Sequence, residues 1–374
     1  MAGLRIGING GGVGGMAAAI ALRQAGHDVE IFEQAPSFQR VGADINLTPN
    51  AVRALDGLGV VAALHETAAR PTHRISRTWD TGAETSRLEM ADTAQQKYGA
   101  PQLTIHRADL LNALRQQLPA EVIRLNHRVA AVKIGNGKAA VSFDNGDARE
   151  VDILIGADGI HSPTRTAMFG PEHPQFTGLV SYRSVVDSSR LSIPNMDAFT
   201  KWWGPTPDLQ IVTFPLNRSR ETFVFATTSQ ADWRHESWTM PGDVVELRAA
   251  YASFHPEARA LLDACTDVMK SALYVRDPLP DWSSGNATLL GDACHPMTPF
   301  MAQGAGMAIE DAVVLGRALK DVDASGIAPA LQRYESARKN RTARVQIGSR
   351  GNEWLKEGGN ADWVYGYNAW TVRL

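Results

Sequence analysis

The sequence has few cysteines, no long apolar run and no excess of basic charge, and each absence excludes a class of protein. Cys265 and Cys294 are the only cysteines in 374 residues, which excludes a disulfide-stabilised secreted scaffold and favours a reducing compartment. No segment approaches the ~20 apolar residues that cross a bilayer, and the first residues, MAGLRIGINGGG, lack the regions of a secretory signal. A net charge of −3, with scattered lysines and arginines, argues against nucleic-acid or membrane partners. We therefore expect a cytoplasmic protein.

Short apolar runs that alternate with helical patterns predict an α/β fold. Residues 4–9 predict a buried strand, residues 13–25 a helix and residues 29–33 a second strand, and this order is typical of a parallel sheet. From residue 176 to about 228 the pattern alternates instead, which predicts an antiparallel sheet with one covered face. The remaining predicted elements are strands at 150–159 and 287–293 and helices at 107–118, 243–265 and 304–320.

A glycine-rich turn joins the first strand to the first helix. The residues Gly10-Gly11-Gly12-Val13-Gly14-Gly15 satisfy G-x-G-x-x-G, and the second strand ends in the acid Glu33. In this pattern Gly10 permits the turn, Gly12 lets a pyrophosphate approach the backbone, and Gly15 lets the helix pack closely on the strand. The helix N-terminus offers N–H groups to the anion, and Glu33 can accept hydrogen bonds from a ribose. The fingerprint indicates the ADP-ribose part of FAD or NAD and does not choose between them.

The stretch GDACHPMTPFMAQGAGMAIEDA, residues 291–312, places Asp292, Cys294 and His295 almost side by side. Such a cluster is typical of a metal site or of a cysteine nucleophile with its histidine base. A metal site needs three or four ligands, however, and the sequence has no C-x-x-C or H-E-x-x-H pattern. The glycines that follow open a helix, whose dipole favours negative charge at its N-terminus. We therefore expect no metal and assign Cys294 and His295 structural roles.

Four motifs in this order resemble those of the class A flavoprotein aromatic hydroxylases, which are single-component FAD monooxygenases. The motifs are GGGVGG with Glu33, Arg107 in IHRADL, DILIGADGIHSPTR, and LLGDACHPMTPFMAQGAGMAIEDA. The resemblance implies a glutathione-reductase-like fold, in which a Rossmann-like FAD-binding domain is interleaved with an antiparallel substrate domain. The implied FAD-binding segments are 1–72, 101–175 and 276–330, the substrate segments are 73–100 and 176–275, and residues 331–374 form a C-terminal helical and aromatic tail.

The resemblance also implies a role for several residues at the cofactor. Asp292 hydrogen-bonds the ribityl chain, and Asp158 with Gly159 lies where pyrophosphate contacts have been proposed. Arg107 reaches the diphosphate or ribityl region, and Arg40 lies near the adenosine end. The N–H groups of Gly304, Ala305 and Gly306 approach the flavin pyrimidine ring, where a helix N-terminus stabilises the negative charge of the reduced flavin. With the glycine turn, the predicted cofactor-binding set is Gly10, Gly12, Val13, Gly14, Gly15, Glu33, Arg40, Arg107, Asp158, Gly159, Asp292, Gly304, Ala305 and Gly306.

The implied activity is hydroxylation of a small hydroxylated aromatic or pyridine carboxylic acid, with or without loss of the carboxylate. NADH or NADPH would reduce FAD, and O2 would then form a flavin C4a-hydroperoxide that transfers oxygen to the ring. Other classes stay open, including a non-hydroxylating flavin oxidoreductase or sensor and an NAD-dependent dehydrogenase. A flavin halogenase is disfavoured because its W-x-W-x-I-P pattern is absent. A monomer and a homodimer are both compatible with the sequence.

The predicted ring pocket departs from the 6-hydroxynicotinate 3-monooxygenase and salicylate hydroxylase-like members that the chain resembles most. Asn46 and Phe300 stand where histidines are expected, and Phe199 stands where a cysteine is expected. Pro299, Phe300 and Tyr182 are predicted at the reaction centre. Tyr182 suits a proton relay and equally a core position, whereas Arg183 suits a substrate carboxylate and equally a surface ion pair. The predicted pocket is completed by Asn46, Arg183, Phe199, Gln210, Val212 and Phe214, for which ordinary sheet packing is the alternative.

Overall fold

The computed structural model describes residues 3–39, 44–135, 137–233, 240–351 and 360–374. Its strands fall into two large and two small sheets. The strands are β1 (Arg5–Asn9), β2 (Asp28–Phe32), β3 (Asp44–Leu47), β4 (His73–Thr78), β5 (Glu84–Glu89), β6 (Leu103–His106), β7 (Ile123–Arg124), β8 (Val129–Ile134), β9 (Ala139–Phe143), β10 (Ala148–Val151), β11 (Ile153–Gly156), β12 (Gln175–Asp187), β13 (Phe199–Trp203), β14 (Gln210–Leu216), β15 (Glu221–Ser229), β16 (Met240–Gly242), β17 (Val268–Val275), β18 (Ser283–Ser284) and β19 (Ala287–Leu289).

The helices cover both sheets, and short 3-10 turns such as Gly291–Ala293 and Pro299–Met301 connect several elements. Among the described residues, no helix combines the length and apolar character that a bilayer crossing needs. The α-helices are α1 (Val13–Gln24), α2 (Pro49–Gly57), α3 (Val61–Leu64), α4 (Ala91–Tyr98), α5 (Arg107–Arg115), α6 (Pro163–Phe169), α7 (Val244–Ala250), α8 (Pro256–Asp263), α9 (Gly304–Leu319), α10 (Ile327–Arg350) and α11 (Asp362–Tyr365).

The first large sheet joins strands from the start, middle and end of the chain in the order β18-β19-β11-β1-β2-β7. Its pairs are parallel except β18 with β19. Helices α1 and α9 pack together, and a Cβ added to Gly316 of α9 would lie 2.8 Å from the Cβ of Ala21 in α1. The small residues of α1 therefore allow the two helices to approach closely, as the predicted βαβ start requires. The predicted α/β fold is confirmed.

The second large sheet has the order β16-β17-β12-β15-β14-β13-β4-β5, and its pairs are antiparallel except β13 with β4. One face packs against α7 and α8 through a cluster that includes Tyr182, Trp202 and Tyr251. We name the opposite face the phenylalanine face. It carries Phe199, Phe214, Phe223 and Phe225, and it also receives Phe300 from the turn before α9.

Two element predictions were wrong in detail. The single helix predicted over 243–265 is broken into α7 and α8, because His255 has an extended backbone conformation and Pro256 starts a new helix. The strand predicted over 150–159 is divided between β10, in a small antiparallel sheet with β8 and β9, and β11 in the parallel sheet. The predicted C-terminal tail also contains most of α10, which buries Tyr334 and Arg338.

Candidate cofactor and substrate site

In the glycine-rich turn, a side chain would find open space at Gly12 but would collide with other atoms at Gly10 and Gly15. Gly10 has φ +107°, and a Cβ there would lie 2.3 Å from the carbonyl oxygen of Ala157, while a Cβ on Gly15 would lie 2.0 Å from the oxygen of Gly10. A Cβ on Gly12, in contrast, would have Nη2 of Arg107 as its nearest neighbour, at 3.9 Å. The surface above Gly12, at the N-terminus of α1, is therefore accessible to a ligand.

The two neighbouring fingerprint residues, Val13 and Gly14, face the protein interior. Val13 is buried. A Cβ on Gly14 would lie 2.6 Å from Cδ2 of Leu290, so this glycine lets α1 pack against the end of β19. Arg40, which was predicted near the adenosine end, lies outside the described residues.

Glu33 fixes the glycine turn from the end of β2. Its Oε2 atom accepts a hydrogen bond from the N–H of Gly11 at 2.8 Å, and its Oε1 atom accepts one from Ala35 at 2.8 Å. Each carboxylate oxygen can accept a further bond. The predicted ribose contact is therefore compatible with a structural role that sequence reasoning did not include.

Arg107 lies beside Gly12 and interacts electrostatically with Asp292, and we name the region around these three residues the charged cleft. Both side chains expose part of their surface to solvent, but the protein atoms packed around their charged groups desolvate them and shift both pKa values. Burial lowers the pKa of Arg107, and the charges of Glu33 and Asp292 oppose that shift. Burial raises the pKa of Asp292, and the charges of His295 and Arg107 oppose it. The cleft thus brings together one cation and two carboxylates from three distant segments, as a site for a diphosphate and its hydroxylated linker requires.

Asp158 is engaged within its own loop. Its carboxylate accepts hydrogen bonds from the hydroxyl of Ser162 at 2.5 Å and from the N–H and hydroxyl of Thr164 at 3.0 and 2.6 Å. These bonds tie the end of β11 to the start of α6, where Ser162 is the N-cap. The side chain of Asp158 therefore has a local structural role, whereas Gly159, with φ +79°, has no heavy atom within 4 Å of an added Cβ.

The N-terminus of α9 follows directly on the turn that contains Pro299 and Phe300. Gly304, Ala305 and Gly306 form its first turn, where backbone N–H groups have no partner within the helix. A Cβ added to Gly304 would have Cγ of Met297 as its nearest neighbour, at 3.9 Å. This helix end is therefore open at Gly304, and its dipole favours an anionic group there.

A buried ion pair network lies behind the Asp292 turn. Asp311 of α9 accepts hydrogen bonds from Nε2 of His295 at 2.6 Å and from the N–H of Gly291 at 3.1 Å through Oδ2, and from Nε of Arg338 at 2.7 Å through Oδ1. Cys294, His295 and Asp311 lie close enough together to ligate a metal. Arg338 already supplies the counter-charge of Asp311, however, and burial holds the pKa of the Cys294 thiol well above its ordinary value. The cluster therefore supports the turn rather than a thiolate nucleophile.

The same network fixes the start of α9 through Glu310. Arg341 binds the Glu310 carboxylate with two bonds of 2.8 and 2.9 Å, and Asn50 of α2 donates to it at 2.7 Å. Asn50 also donates to Oε1 of Gln303 at 3.1 Å, and Gln303 donates to the Thr48 hydroxyl at 2.9 Å. All five residues are largely or fully buried. Sequence reasoning missed this network because its partners are distant along the chain and match no motif.

The phenylalanine face brings most of the predicted pocket residues together. The rings of Phe199 and Phe214 stack at 5.2 Å, and Phe300 and Val212 belong to or pack on the same cluster. Gln210 lies on this face two residues before Val212. Both polar atoms of its buried side chain have no hydrogen-bond partner among the described residues. An aromatic wall with a buried amide can enclose a planar ring and bind one polar substituent.

Asn46 lies on β3 of a small sheet, and Arg183 lies on β12 of the sheet that carries the phenylalanine face. Asn46 accepts a hydrogen bond from Gln102 at 2.8 Å, while its own Nδ2 atom has no partner within the described part of the chain. Arg183 donates to the Ser271 hydroxyl at 3.0 Å and interacts electrostatically with Asp44. Burial raises the pKa of Asp44 to about 7, even though the charge of Arg183 opposes the shift.

Tyr182 does not belong to the pocket. Side chains alternate along β12, so Tyr182 points to the face that packs on α7 and α8, away from Phe300. Its ring lies 4.9 Å from the Lys270 ammonium, and burial raises its pKa. This placement does not support the catalytic role predicted for Tyr182, because Tyr182 and Phe300 belong to clusters on opposite faces of the sheet.

Two buried cations on the phenylalanine face were missed by sequence reasoning. The Lys201 ammonium lies 3.6 Å from the centroid of the Trp203 ring and 5.7 Å from that of Phe300. The Arg74 guanidinium lies 4.6 Å from the centroid of Phe199 and donates to the Tyr365 hydroxyl at 3.3 Å. Strand alternation places Lys201 on the same face as Phe199, and this was the signal available in the sequence.

The parallel sheet, the open glycine turn and the charged cleft define a dinucleotide-binding α/β protein with a separate aromatic pocket. A family described as "FAD binding domain" matches residues 4–348. The chain belongs to this family.

Its relatives of known activity match nearly the whole chain. The chain is 39% identical over 375 residues to a 6-hydroxynicotinate 3-monooxygenase of Bordetella bronchiseptica, covering 99% of this chain and 97% of the relative. It is 34% identical over 368 residues to a salicylate hydroxylase of Pseudomonas putida, covering 92% and 84%. A solved salicylate hydroxylase–substrate complex is 25% identical, with a TM-score of 0.86 over 98% of this chain and 96% of that chain. These similarities confirm the predicted resemblance to flavoprotein aromatic hydroxylases.

Proposed function

We propose that the protein is an FAD- and NAD(P)H-dependent monooxygenase that hydroxylates a small hydroxylated aromatic or pyridine carboxylic acid. The observation that carries the proposal is the open space above Gly12 beside Arg107, whose charge interacts with Asp292, in a chain that also presents the phenylalanine face on its second large sheet. A dehydrogenase that uses only the glycine fingerprint leaves Asp292 and the open start of α9 without a role.

The residues of the cleft fit FAD. Arg107 and the N–H groups at Gly12 to Gly14 would bind the diphosphate, and Glu33 would bind the adenosine ribose. Asp292 would accept hydrogen bonds from the ribityl hydroxyls, and the first turn of α9 would face the pyrimidine end of the flavin. When bound, FAD supplies the activation of O2, with NAD(P)H as the electron source.

The chain itself positions the ring and excludes water. Phe199, Phe214 and Phe300 enclose the ring in an apolar environment, and Pro299 directs Phe300 towards the phenylalanine face. Such enclosure holds the reacting carbon in a fixed orientation and limits competing reactions with water. The nearby polar groups, Asn46 and Gln210, can orient ring substituents.

The reaction balances with or without loss of the carboxylate. In simple hydroxylation, Ar–H, O2, NAD(P)H and H⁺ give Ar–OH, NAD(P)⁺ and H2O. In decarboxylative hydroxylation, Ar–COO⁻, O2, NAD(P)H and two H⁺ give Ar–OH, CO2, NAD(P)⁺ and H2O. The first reaction breaks a ring C–H bond, the second breaks the bond to the carboxylate carbon, and both form a C–O bond at the ring.

The test uses the purified protein with its bound cofactor. FAD content is measured first, followed by NADH and NADPH oxidation with 6-hydroxynicotinate, salicylate or 3-hydroxybenzoate under ¹⁸O2. We expect stimulated oxidation and one labelled oxygen in the product, and CO2 released per NADH separates the two reactions. A colourless protein without FAD contradicts the proposal, as does NADH oxidation that yields only hydrogen peroxide with every acid.

A further inference from the structure

We infer that the paired side-chain amides of Asn46 and Gln102 recognise the hydroxyl substituent of the aromatic substrate, or the equivalent lactam group of a pyridone. The pair would therefore help to determine the specificity of the pocket. This inference rests on the proposed function and deepens it, because it names the groups that bind the hydroxylated position of the ring.

The small sheet of β3 and β6, which we name the β3–β6 ribbon, has one apolar and one polar face. The apolar face packs into the core around α1 and α9 through four side chains, Ile45, Leu47, Leu103 and Ile105. Side chains alternate along a strand, so the polar face carries the others, which are Asp44, Asn46, Thr104 and His106. Gln102 directly precedes β6 and joins this polar face, because its Nε2 atom donates to Oδ1 of Asn46 at 2.8 Å.

Two contacts place the polar face of the β3–β6 ribbon against the phenylalanine face. The Thr104 hydroxyl donates to the carbonyl oxygen of Pro215 in β14 at 2.6 Å. Nε2 of His106 lies 3.0 Å from Oε2 of Glu221 in β15. Glu221 and Phe223 are two residues apart on β15, so their side chains lie on the same face of the sheet. The polar groups of the ribbon are therefore turned towards the predicted ring pocket.

The other end of the β3–β6 ribbon reaches the start of α9. The Thr48 hydroxyl accepts a hydrogen bond from Gln303 at 2.9 Å, and Gln303 directly precedes α9. The turn just before it contains Phe300, which packs on the phenylalanine face. Asn46 and Gln102 therefore lie on the part of the ribbon that joins the phenylalanine face to the open start of α9.

The two amides are buried, and they satisfy each other only in part. Gln102 is fully buried and Asn46 is 7% exposed. Among the described residues, neither Nδ2 of Asn46 nor Oε1 of Gln102 has a hydrogen-bond partner. The opposite orientation of both amides leaves the same groups, one N–H donor and one carbonyl acceptor. Because buried polar groups without partners are costly, a ligand that pairs with both of them stabilises the arrangement.

One donor beside one acceptor fits a substituent that both accepts and donates. The oxygen of a ring hydroxyl can accept from Nδ2 of Asn46, and its proton can be donated to Oε1 of Gln102. A pyridone does the same with its adjacent C=O and N–H groups. A carboxylate only accepts, so it would leave Oε1 of Gln102 without a partner. The amide pair therefore selects the hydroxylated position of the ring rather than its carboxylate.

The experiment compares each hydroxylated acid with a chloro analogue of similar shape that cannot donate. The pairs are 6-hydroxynicotinate with 6-chloronicotinate, 3-hydroxybenzoate with 3-chlorobenzoate, and salicylate with 2-chlorobenzoate. Binding to the FAD-loaded protein is measured from the change in flavin absorbance, without NAD(P)H. We expect the wild type to bind at least one hydroxylated acid about 10-fold or more tightly than its analogue, because the analogue leaves both amide groups unpaired.

The three pairs also distinguish the two forms of the recognised group. A preference confined to 6-hydroxynicotinate identifies the lactam of a pyridone, which has a ring N–H. A preference for salicylate or 3-hydroxybenzoate over its chloro analogue identifies a phenolic hydroxyl. Both results support the inference.

The double variant Asn46→Leu with Gln102→Met replaces both amides by apolar side chains of similar shape. We expect its preference for hydroxylated acids to fall to about one. Because it removes two buried groups that lack partners, its unfolding temperature without substrate should equal or exceed that of the wild type. Gln102→Met alone also removes the partner of Asn46 Oδ1, so this single variant should unfold at a lower temperature than the double variant.

Gln346→Met is the matched control, because Gln346 is also a buried glutamine but has a structural role. Its Nε2 atom donates to the carbonyl oxygens of Arg276 and Pro296 at 2.8 and 3.0 Å. We expect this variant to unfold at a lower temperature and to keep the wild-type preference. The two buried glutamines should thus show opposite combinations of stability and selectivity.

Two results overturn the inference: a wild type that prefers no hydroxylated acid over its chloro analogue, or a double variant that keeps the preference. The first result needs no variant, so the inference stays testable even if the double variant does not fold. FAD content and labelled product report separately on the proposed function. A protein that selects hydroxylated acids through the amide pair but forms no hydroxylated product would retain this inference and reject the proposed reaction. A protein that hydroxylates a ring without such a preference would do the opposite.

Discussion

His295 and Asp311 form a buried hydrogen bond of 2.6 Å between Nε2 and Oδ2, and Arg338 binds the other carboxylate oxygen at 2.7 Å. An ionised carboxylate only accepts, so Nε2 of His295 carries the proton. Oδ2 of Asp311 also accepts the N–H of Gly291, the residue before Asp292. One carboxylate in α9 therefore fixes the turn that presents Asp292 to the cleft.

We expect Asp311→Asn to destabilise the protein by about 3–5 kcal/mol, because it leaves the buried Arg338 cation without one of its partners. The FAD-free protein should show this loss in its free energy of unfolding by denaturant. Asp277→Asn, which breaks an exposed pair with Arg350, is the control and should cost about 0–1 kcal/mol. A loss for Asp311→Asn as small as that of the control would contradict the assigned role.

The same carboxylate predicts acid sensitivity. Burial raises the pKa of Asp311, but the charges of His295 and Arg338 outweigh it, and the pKa lies below its ordinary value of 3.8. A depressed carboxyl pKa stabilises the folded state above the unfolded pKa, and this stabilisation is lost as the pH falls through the folded pKa. We expect the stability difference between the wild type and Asp311→Asn to be constant above about pH 5 and to shrink below pH 4. A difference that stays constant to pH 3 would argue against this.

Gly12→Ala should affect FAD binding, whereas Gly15→Ala should affect the stability of the protein. At Gly12 a methyl group fits the protein, with its nearest neighbour at 3.9 Å, but occupies the space assigned to the diphosphate. At Gly15 it would collide with the oxygen of Gly10 at 2.0 Å. We therefore expect Gly12→Ala to keep the unfolding temperature of the FAD-free protein and to weaken FAD binding ~10-fold or more, in the range of a lost charged hydrogen bond.

In this pair Gly15→Ala should lower the unfolding temperature of the FAD-free protein itself. Calorimetry with and without FAD separates the two effects. A Gly12→Ala protein that binds FAD like the wild type would show that the open space is not the diphosphate site.

Arg107→Met should weaken FAD binding about 10- to 100-fold, since a charged hydrogen bond contributes roughly 1.5–3 kcal/mol. The loss should be largest at low salt, because screening reduces the charge contribution of the wild type. Fluorescence titration of the FAD-free protein at two salt concentrations measures both effects. Arg115→Met, at the exposed end of the same helix, is the matched control. Equal affinities for the two variants would exclude Arg107 from the cofactor site.

Asp44 predicts a pH dependence of stability that is opposite in sign to that of Asp311. Burial raises its folded-state pKa to about 7, so the folded protein binds an extra proton, and the contribution of Asp44 to stability falls as the pH rises from about 4 to 7. Asp44→Asn removes this dependence. We expect the variant to gain stability relative to the wild type between pH 5 and pH 8, as measured by thermal unfolding. A relative stability that does not change over this range would contradict the raised pKa.

Local sequence patterns predicted well those elements whose conformation depends on residues that are adjacent in the chain. The glycine turn between β1 and α1 has a fixed spacing, and α9 starts at the two closely spaced glycines Gly304 and Gly306. The sequence could not show that Tyr182 faces α7 and α8, because a strand buried on both faces has no polar side to orient it. Strand alternation places Lys201 on the face of Phe199, but the sequence could not show that Phe300 lies near it, because Phe300 is 99 residues away along the chain.

The position of Asp158 shows a second limit of prediction from sequence motifs. Its motif places it correctly at the end of β11, but the structure commits its carboxylate to Ser162 and Thr164. Motif spacing fixes the location of the backbone, whereas the hydrogen-bond partners depend on the turn that follows. Arg338 and Arg341 carry no motif at all, and their role appears only when α10 lies against α9.

The interleaved order of the parallel sheet has a consequence for synthesis on the ribosome. β1 is made first, but its neighbour β11 begins at residue 153, and β19, which completes that side, ends at residue 289. Helix α9 buries Glu310 and Asp311, and the arginines that neutralise them are supplied by α10, which is made later still. A nascent chain thus exposes the glycine turn long before the opposite wall of the cleft exists. Cofactor capture should therefore be a late, post-translational event that seals an almost finished fold.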